Sequence, residues 1–131
     1  MFRFACGVMF ILLVACIAVQ YNDPDGFVWM LVYGYGLVVT VFAFRGKETL
    51  FSVAGFLSYL GGFFYFMPST WDGWYENEQA REALGLLFAA LCMLVLTAHY
   101  FRTLQRRAVA AREVAAQEAE AGDAARDDEA S

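Results

Sequence analysis

Histidine, proline and charge at membrane depth are what this chain lacks. Of 131 residues, one is histidine and two are proline. The lone His99 leaves one chain unable to offer two imidazoles to a haem or a histidine cluster to zinc or copper. It reads as an interfacial residue near the end of an apolar run. Cys6, Cys16 and Cys92 each sit inside an apolar run with no CxxC spacing. They read as small buried hydrophobes, neither a disulfide framework nor a metal set. No Asp, Glu, Lys or Arg falls in the middle of a long apolar run, which disfavours a pump or coupled transporter. A phosphate loop, a nucleotide fingerprint and a nucleic-acid surface are absent too, so no nucleic-acid partner is expected.

What is present is apolar. Hydrophobic residues make up 60% of the chain and aromatic residues 18%. A water-soluble domain of this size could not cover so much apolar surface, so lipid is the natural solvent. The net charge of −5 is misleading as an average, because seven of the fourteen acids lie between Glu113 and Glu129, outside the apolar part.

The organising stretch is Gln20–Tyr33, where one apolar segment stops, a polar corner follows and a second segment starts. Four spans are expected, at about residues 4–20, 27–44, 50–67 and 83–101, each near the length a bilayer crossing needs. The first, headed by Arg3, also resembles a signal peptide, with Leu13-Val14-Ala15-Cys16 as a lipoprotein-like box. Because the apolar run continues through Val19 and more spans follow, a retained helix is expected. In the corner Asp23 suits a helix cap, Pro24 the first helical position, and Asp25 the positive end of the helix dipole. Ser52, Gly55, Ser58, Tyr59 and Gly62 recur at helical steps that let a neighbour approach closely. Thr40, Ser52, Ser58 and Thr97 are hydroxyls that can bond within their own helices. Pro68 breaks the third span, and Trp71, Trp74 and Tyr75 suit the headgroup layer. After Phe101 the composition turns to Ala, Glu, Arg and Asp: a helical start through about Gln117, then an acidic stretch from Ala121 expected to be disordered.

The expected fold is therefore all-α, an integral membrane four-helix bundle with short loops and a disordered C-terminal tail. Arg3, Arg45, Lys47, Arg102, Arg106, Arg107 and Arg112 fall on one side of a four-span bundle and only Arg81 on the other. The positive-inside rule then gives a multi-pass protein of the cell (inner) membrane with both termini cytoplasmic. Arg102–Arg112 suits anionic lipid headgroups.

That topology gathers Asn22, Asp23 and Asp25 on the same outer face as Asp72, Glu76, Glu78, Arg81 and Glu82. Arg81 is in a position to pair with Asp23 or Asp25. Each element has a plain structural account, as a cap or a solvated first turn. The functional account is that the carboxylates hold a divalent cation, since hard cations take several oxygen ligands; Asp-Pro-Asp-Gly lacks the full spacing of a calcium loop. No other cofactor is expected.

Gln20-x-Asn22-Asp23-Pro24-Asp25, followed by Trp29 and Tyr33, resembles the opening signature of the transmembrane family 220 helix proteins. Glu78-x-x-Arg81-Glu82-x-x-Gly85-Leu86 resembles that family's second polar motif. The resemblance covers the four-span core and implies a small multi-pass architecture without supplying a substrate. It points to Gln20, Asn22, Asp23, Asp25, Glu78, Arg81 and Glu82 as binding candidates, supported by Trp29, Tyr33 and Gly85. Two functions stay open: a binding, accessory or assembly module, with a membrane-protein partner or a second copy of itself, and a membrane enzyme using an outer carboxylate on a lipid or periplasmic substrate. The second expects a concave outer pocket.

Overall fold

The computed structural model describes all residues except Asp23, Glu48, Thr49 and Ser131, and not the side chains of residues 22, 123–125 and 127–130. Among the described residues the chain is helical, without strands: α1 (Phe2–Val19), a 3-10 turn (Gln20–Asn22), α2 (Gly26–Phe44), α3 (Phe51–Tyr65) and α4 (Glu78–Ala130). The first unit, Met1–His99, holds the apolar bundle.

Helices α1 and α2, of 18 and 19 residues, are roughly 27–29 Å long at 1.5 Å per residue, close to a hydrocarbon core of about 30 Å. With the apolar part of α4 they are the three described helices long and apolar enough to cross a membrane. Helix α3 has 15 residues, roughly 22 Å, against the 18 residues expected. It ends at Phe66, where the backbone leaves helical geometry two residues before Pro68, as the steric restriction ahead of a proline favours. Its shortness does not alter the path of the chain. The start of α4 lies beside the start of α2, so α3 must return the chain to that end.

The lipid reading fits what is exposed. Phe4, Ile11, Leu31, Phe51, Leu57 and Leu91 are among the large apolar side chains left on the surface, far more than a protein in water tolerates. The interior is filled by Cys6, Leu13, Val39, Met93 and Leu96. With lipid outside, close packing and hydrogen bonds hold helices together. On the small-residue stripe of α3, Ser52, Gly55 and Tyr59 are buried, whereas Ser58 is exposed. A Cβ at Gly55 would meet Tyr35 Cε1 at 2.9 Å and Met93 Sδ at 3.1 Å, so this glycine lets α2 and α4 close on α3. The Tyr59 hydroxyl donates to Val32 O, and the Tyr35 hydroxyl donates to Phe51 O at 2.7 Å. At the other end of α4's span, the His99 ring stacks on Phe2 at 3.5 Å between centroids.

Two local expectations need correction. The start of α2 is Gly26 with Asp25 as its N-cap, so Pro24 sits in the preceding turn, not at the first helical position. Asp23 lies outside the described residues. Of the span hydroxyls, Thr40 Oγ1 does donate to Gly36 O within its helix, at 2.8 Å, but Thr97 Oγ1 is buried without a partner. A buried hydroxyl without a hydrogen bond costs about 1–3 kcal/mol. Thr97→Val keeps the shape and removes that cost, so it is expected to leave stability unchanged or raise it by up to about 1 kcal/mol. A lowered midpoint in thermal unfolding of the purified protein would refute this.

Residues Tyr100–Ser131 form a second unit, whose described residues are helical and almost all exposed. Helix α4 runs to Ala130 and includes the helical start expected through about Gln117. The alanines, glutamates and arginines that suggested a solvated tail are also among the strongest helix formers.

Candidate functional site

The end of the bundle where α1 finishes and α2 and α4 begin carries the polar residues. Gln20 follows the last turn of α1 and is the C-cap of that helix. Asp25 starts α2, its carbonyl accepting from Val28 N at 2.9 Å. Its carboxylate does not cap the helix; Oδ2 accepts instead from Trp29 Nε1, one turn on, at 3.0 Å. Trp29 is 5% exposed and packs edge-on against Phe66 at 5.5 Å, which ties this corner to the end of α3. Helix α4 is capped by Asn77, whose Oδ1 accepts from Ala80 N at 3.4 Å. Glu78, Arg81, Glu82 and Gly85 then follow on successive steps of 3, 1 and 3 residues, which keeps all four within one side of the helix.

A cavity of about 290 Å³ opens here, lined by Gln20, Tyr33, Glu78, Arg81, Glu82 and Gly85 together with Cys16 and Val19. One carboxylate oxygen from each of Asp25, Glu78 and Glu82 lies within 4.8 Å of the other two. The two polar corners, more than fifty residues apart in sequence, therefore share one end of the bundle. Asp25 and Glu78 are exposed and Glu82 half-buried. Three carboxylates this close repel one another by about 1 kcal/mol per pair in water, and by several times more where the surroundings are less polar. Arg81, in the same lining, offsets part of that charge.

The cavity floor depends on one missing side chain. Tyr33 is 3% exposed, and its hydroxyl occupies the space a Cβ on Gly85 would take. A phenol from α2 is thereby set against α4 beneath Glu82. Trp29 packs 6.2 Å from Tyr33, so the supporting residues form one contiguous group.

Of the candidates, Gln20, Asp25, Glu78, Arg81 and Glu82 meet at this end with Trp29, Tyr33 and Gly85. Asp23 and the side chain of Asn22 lie outside the described residues. Asp72 and Glu76 are exposed on the 66–77 connection and do not line the cavity. Cys16 was missed. Unlike Cys6 and Cys92 it is only half-buried, and it lines the polar cavity. An apolar run carries no mark of which turn faces such a cavity; the one available signal is that Cys16 lies four residues before Gln20, on the same helix face.

No curated protein and no solved structure matches the chain. Its sequence does match Transmembrane family 220, helix, over residues 10–98, a stretch that begins in α1, ends in the apolar part of α4, and contains every residue of the cavity. The chain is a member of Transmembrane family 220, a multi-pass membrane protein built as an all-α bundle.

Proposed function

We propose that this protein is a non-enzymatic binding module of the membrane that holds a divalent cation at the polar end of the bundle, facing away from the cytosol, as an accessory or assembly component. The reading is carried by the approach of Asp25, Glu78 and Glu82, whose oxygens lie within 4.8 Å of one another. Hard cations take oxygen ligands and relieve like-charge repulsion. The Gln20 amide, in the same lining, supplies a neutral oxygen, and water completes the shell. Orientation is supported by the arginines and lysine at the opposite ends of the spans.

Thermal unfolding of the purified protein, with calcium, magnesium or manganese titrated against a chelator, tests the proposal. A bound cation stabilises by RT ln(1 + [L]/Kd), about 2.7 kcal/mol at a hundredfold excess over Kd. One of these ions is expected to raise the midpoint by several degrees in the native protein and not in Glu78→Gln/Glu82→Gln. The double variant itself is expected to be as stable as the chelated native protein or more so, since it loses the repulsion. No response to any of the three ions up to millimolar concentration, or an equal response in the variant, rejects the proposal.

A second reading has one observation in its favour. The site is concave, as an enzyme acting on a lipid or periplasmic substrate with a carboxylate as general base requires. It differs from the first in expecting turnover that is lost in Glu82→Gln and indifferent to chelator.

A further inference from the structure

The opposite end of the bundle carries a different kind of hollow. The first turns of α1 and the last turns of α2 leave between them an apolar groove of about 470 Å³. Cys6 and Thr40, both buried, lie at its floor. Phe10, Ile11 and Phe44, all substantially exposed, form its walls. Gly7 leaves the groove open: a Cβ there would find nothing within 4 Å. One end of the lining is Arg45. A second hollow, of about 340 Å³, continues from that end and shares Phe44 and Arg45 with the groove, adding Arg3. The Arg3 guanidinium carbon sits 4.8 Å from the centre of the Phe44 ring, so both arginines border the same aromatic side chain. Among the described residues, neither lining contains a carboxylate.

An apolar trough running down a membrane helix pair, with two guanidiniums at its mouth, has the charge and polarity of an anionic phospholipid turned inside out. The geometry points to this groove as a binding site for one anionic phospholipid, its acyl chain along Gly7 and its phosphate between Arg3 and Arg45. Guanidinium suits phosphate because its fork of donors matches the phosphate oxygens. The leaflet at this end would be the cytoplasmic one, whose anionic lipids attract basic residues at the membrane surface. Bulk lipid covers every outer face of the bundle without preference for headgroup. This groove differs in binding one molecule and choosing it by charge. The inference uses residues at the far end from the carboxylates and stands independently of the cation.

Native mass spectrometry of the full chain tests it, with equimolar phosphatidylglycerol and phosphatidylcholine of matched acyl chains. The native protein is expected to retain one phosphatidylglycerol in about tenfold or greater preference. Arg3→Gln/Arg45→Gln is expected to lose the headgroup preference. Gly7→Leu, which fills the groove without touching charge, is expected to lose the retained lipid. A variant with Arg102, Arg106 and Arg107 all changed to Gln is expected to behave as the native protein. Equal retention of the two lipids by the native protein overturns the proposal. So does unchanged preference in the Arg3/Arg45 variant, unchanged retention in Gly7→Leu, or loss of preference in the Arg102/Arg106/Arg107 variant, which would place the lipid on α4. Circular dichroism of each variant confirms that it is folded before its lipid is read.

Discussion

Replacing Gly85 with alanine is expected to destabilise the bundle by about 1–3 kcal/mol, the usual cost of forcing extra atoms into a filled site. The added Cβ falls on the Tyr33 hydroxyl. Tyr33 cannot yield cheaply, because it is 3% exposed and lies against Trp29. Either the phenol swings off its rotamer or α4 moves away from α2, and both disturb the cavity above. The cause is one oxygen atom, which makes the claim sharp. With phenylalanine at position 33 the nearest atom to the new Cβ becomes Cζ, at 3.2 Å, a tight contact that small shifts accommodate. Tyr33→Phe should therefore rescue Gly85→Ala. In a double-mutant cycle read by thermal unfolding, the pair should show a coupling of about 0.5–3 kcal/mol. Strict additivity would mean that the hydroxyl is not what this glycine makes room for.

Much of the architecture was legible because lipid imposes a coarse rule. Backbone groups in hydrocarbon must be satisfied within the helix, so long apolar runs between polar corners become helices. The ends of α1 and α2 fall where the apolar runs meet Gln20 and Arg45. Finer features obeyed local rules that composition hides. Asp25 caps α2 through its backbone position while its carboxylate turns to Trp29, a choice made by an indole one turn away. Asn77 caps α4, and an asparagine just ahead of Glu78 is a recognisable start signal that the acidic run obscured. The length of α3 was overestimated because Phe66 and Met67 are as apolar as the helix they follow. The meeting of the two polar corners needed the chain path as well as the pattern: an antiparallel return by α3 puts the starts of α2 and α4 side by side. Cys16 was hidden because a thiol in an apolar run looks the same whether it faces a core, a lipid tail or a cavity.

Trp29 joins these parts, and truncating it separates two roles. Trp29→Ala removes a nearly buried indole from between Phe66 and Tyr33. Such truncations cost about 3–5 kcal/mol in water-solvated cores. In lipid the lower end is expected, because part of that cost is transfer from water, which a membrane interior lacks. Trp29→Phe is the more informative change. It keeps an aromatic ring against Phe66 and Tyr33 and deletes only the Nε1 donor to Asp25. A partly buried hydrogen bond to a carboxylate contributes about 1 kcal/mol once solvent is allowed for, so the stability loss should be small. The consequence for the site should be larger than for the fold. Without the indole, Asp25 is an exposed side chain at a helix start, free to turn away from Glu78 and Glu82. Cation response, measured as the ion concentration that gives half the thermal shift, is then expected to weaken by about three- to tenfold, the equivalent of about 1 kcal/mol in binding. Trp29→Phe with native cation response but reduced stability would make the indole a packing residue only, and Asp25 a cap that happens to lie beside two glutamates.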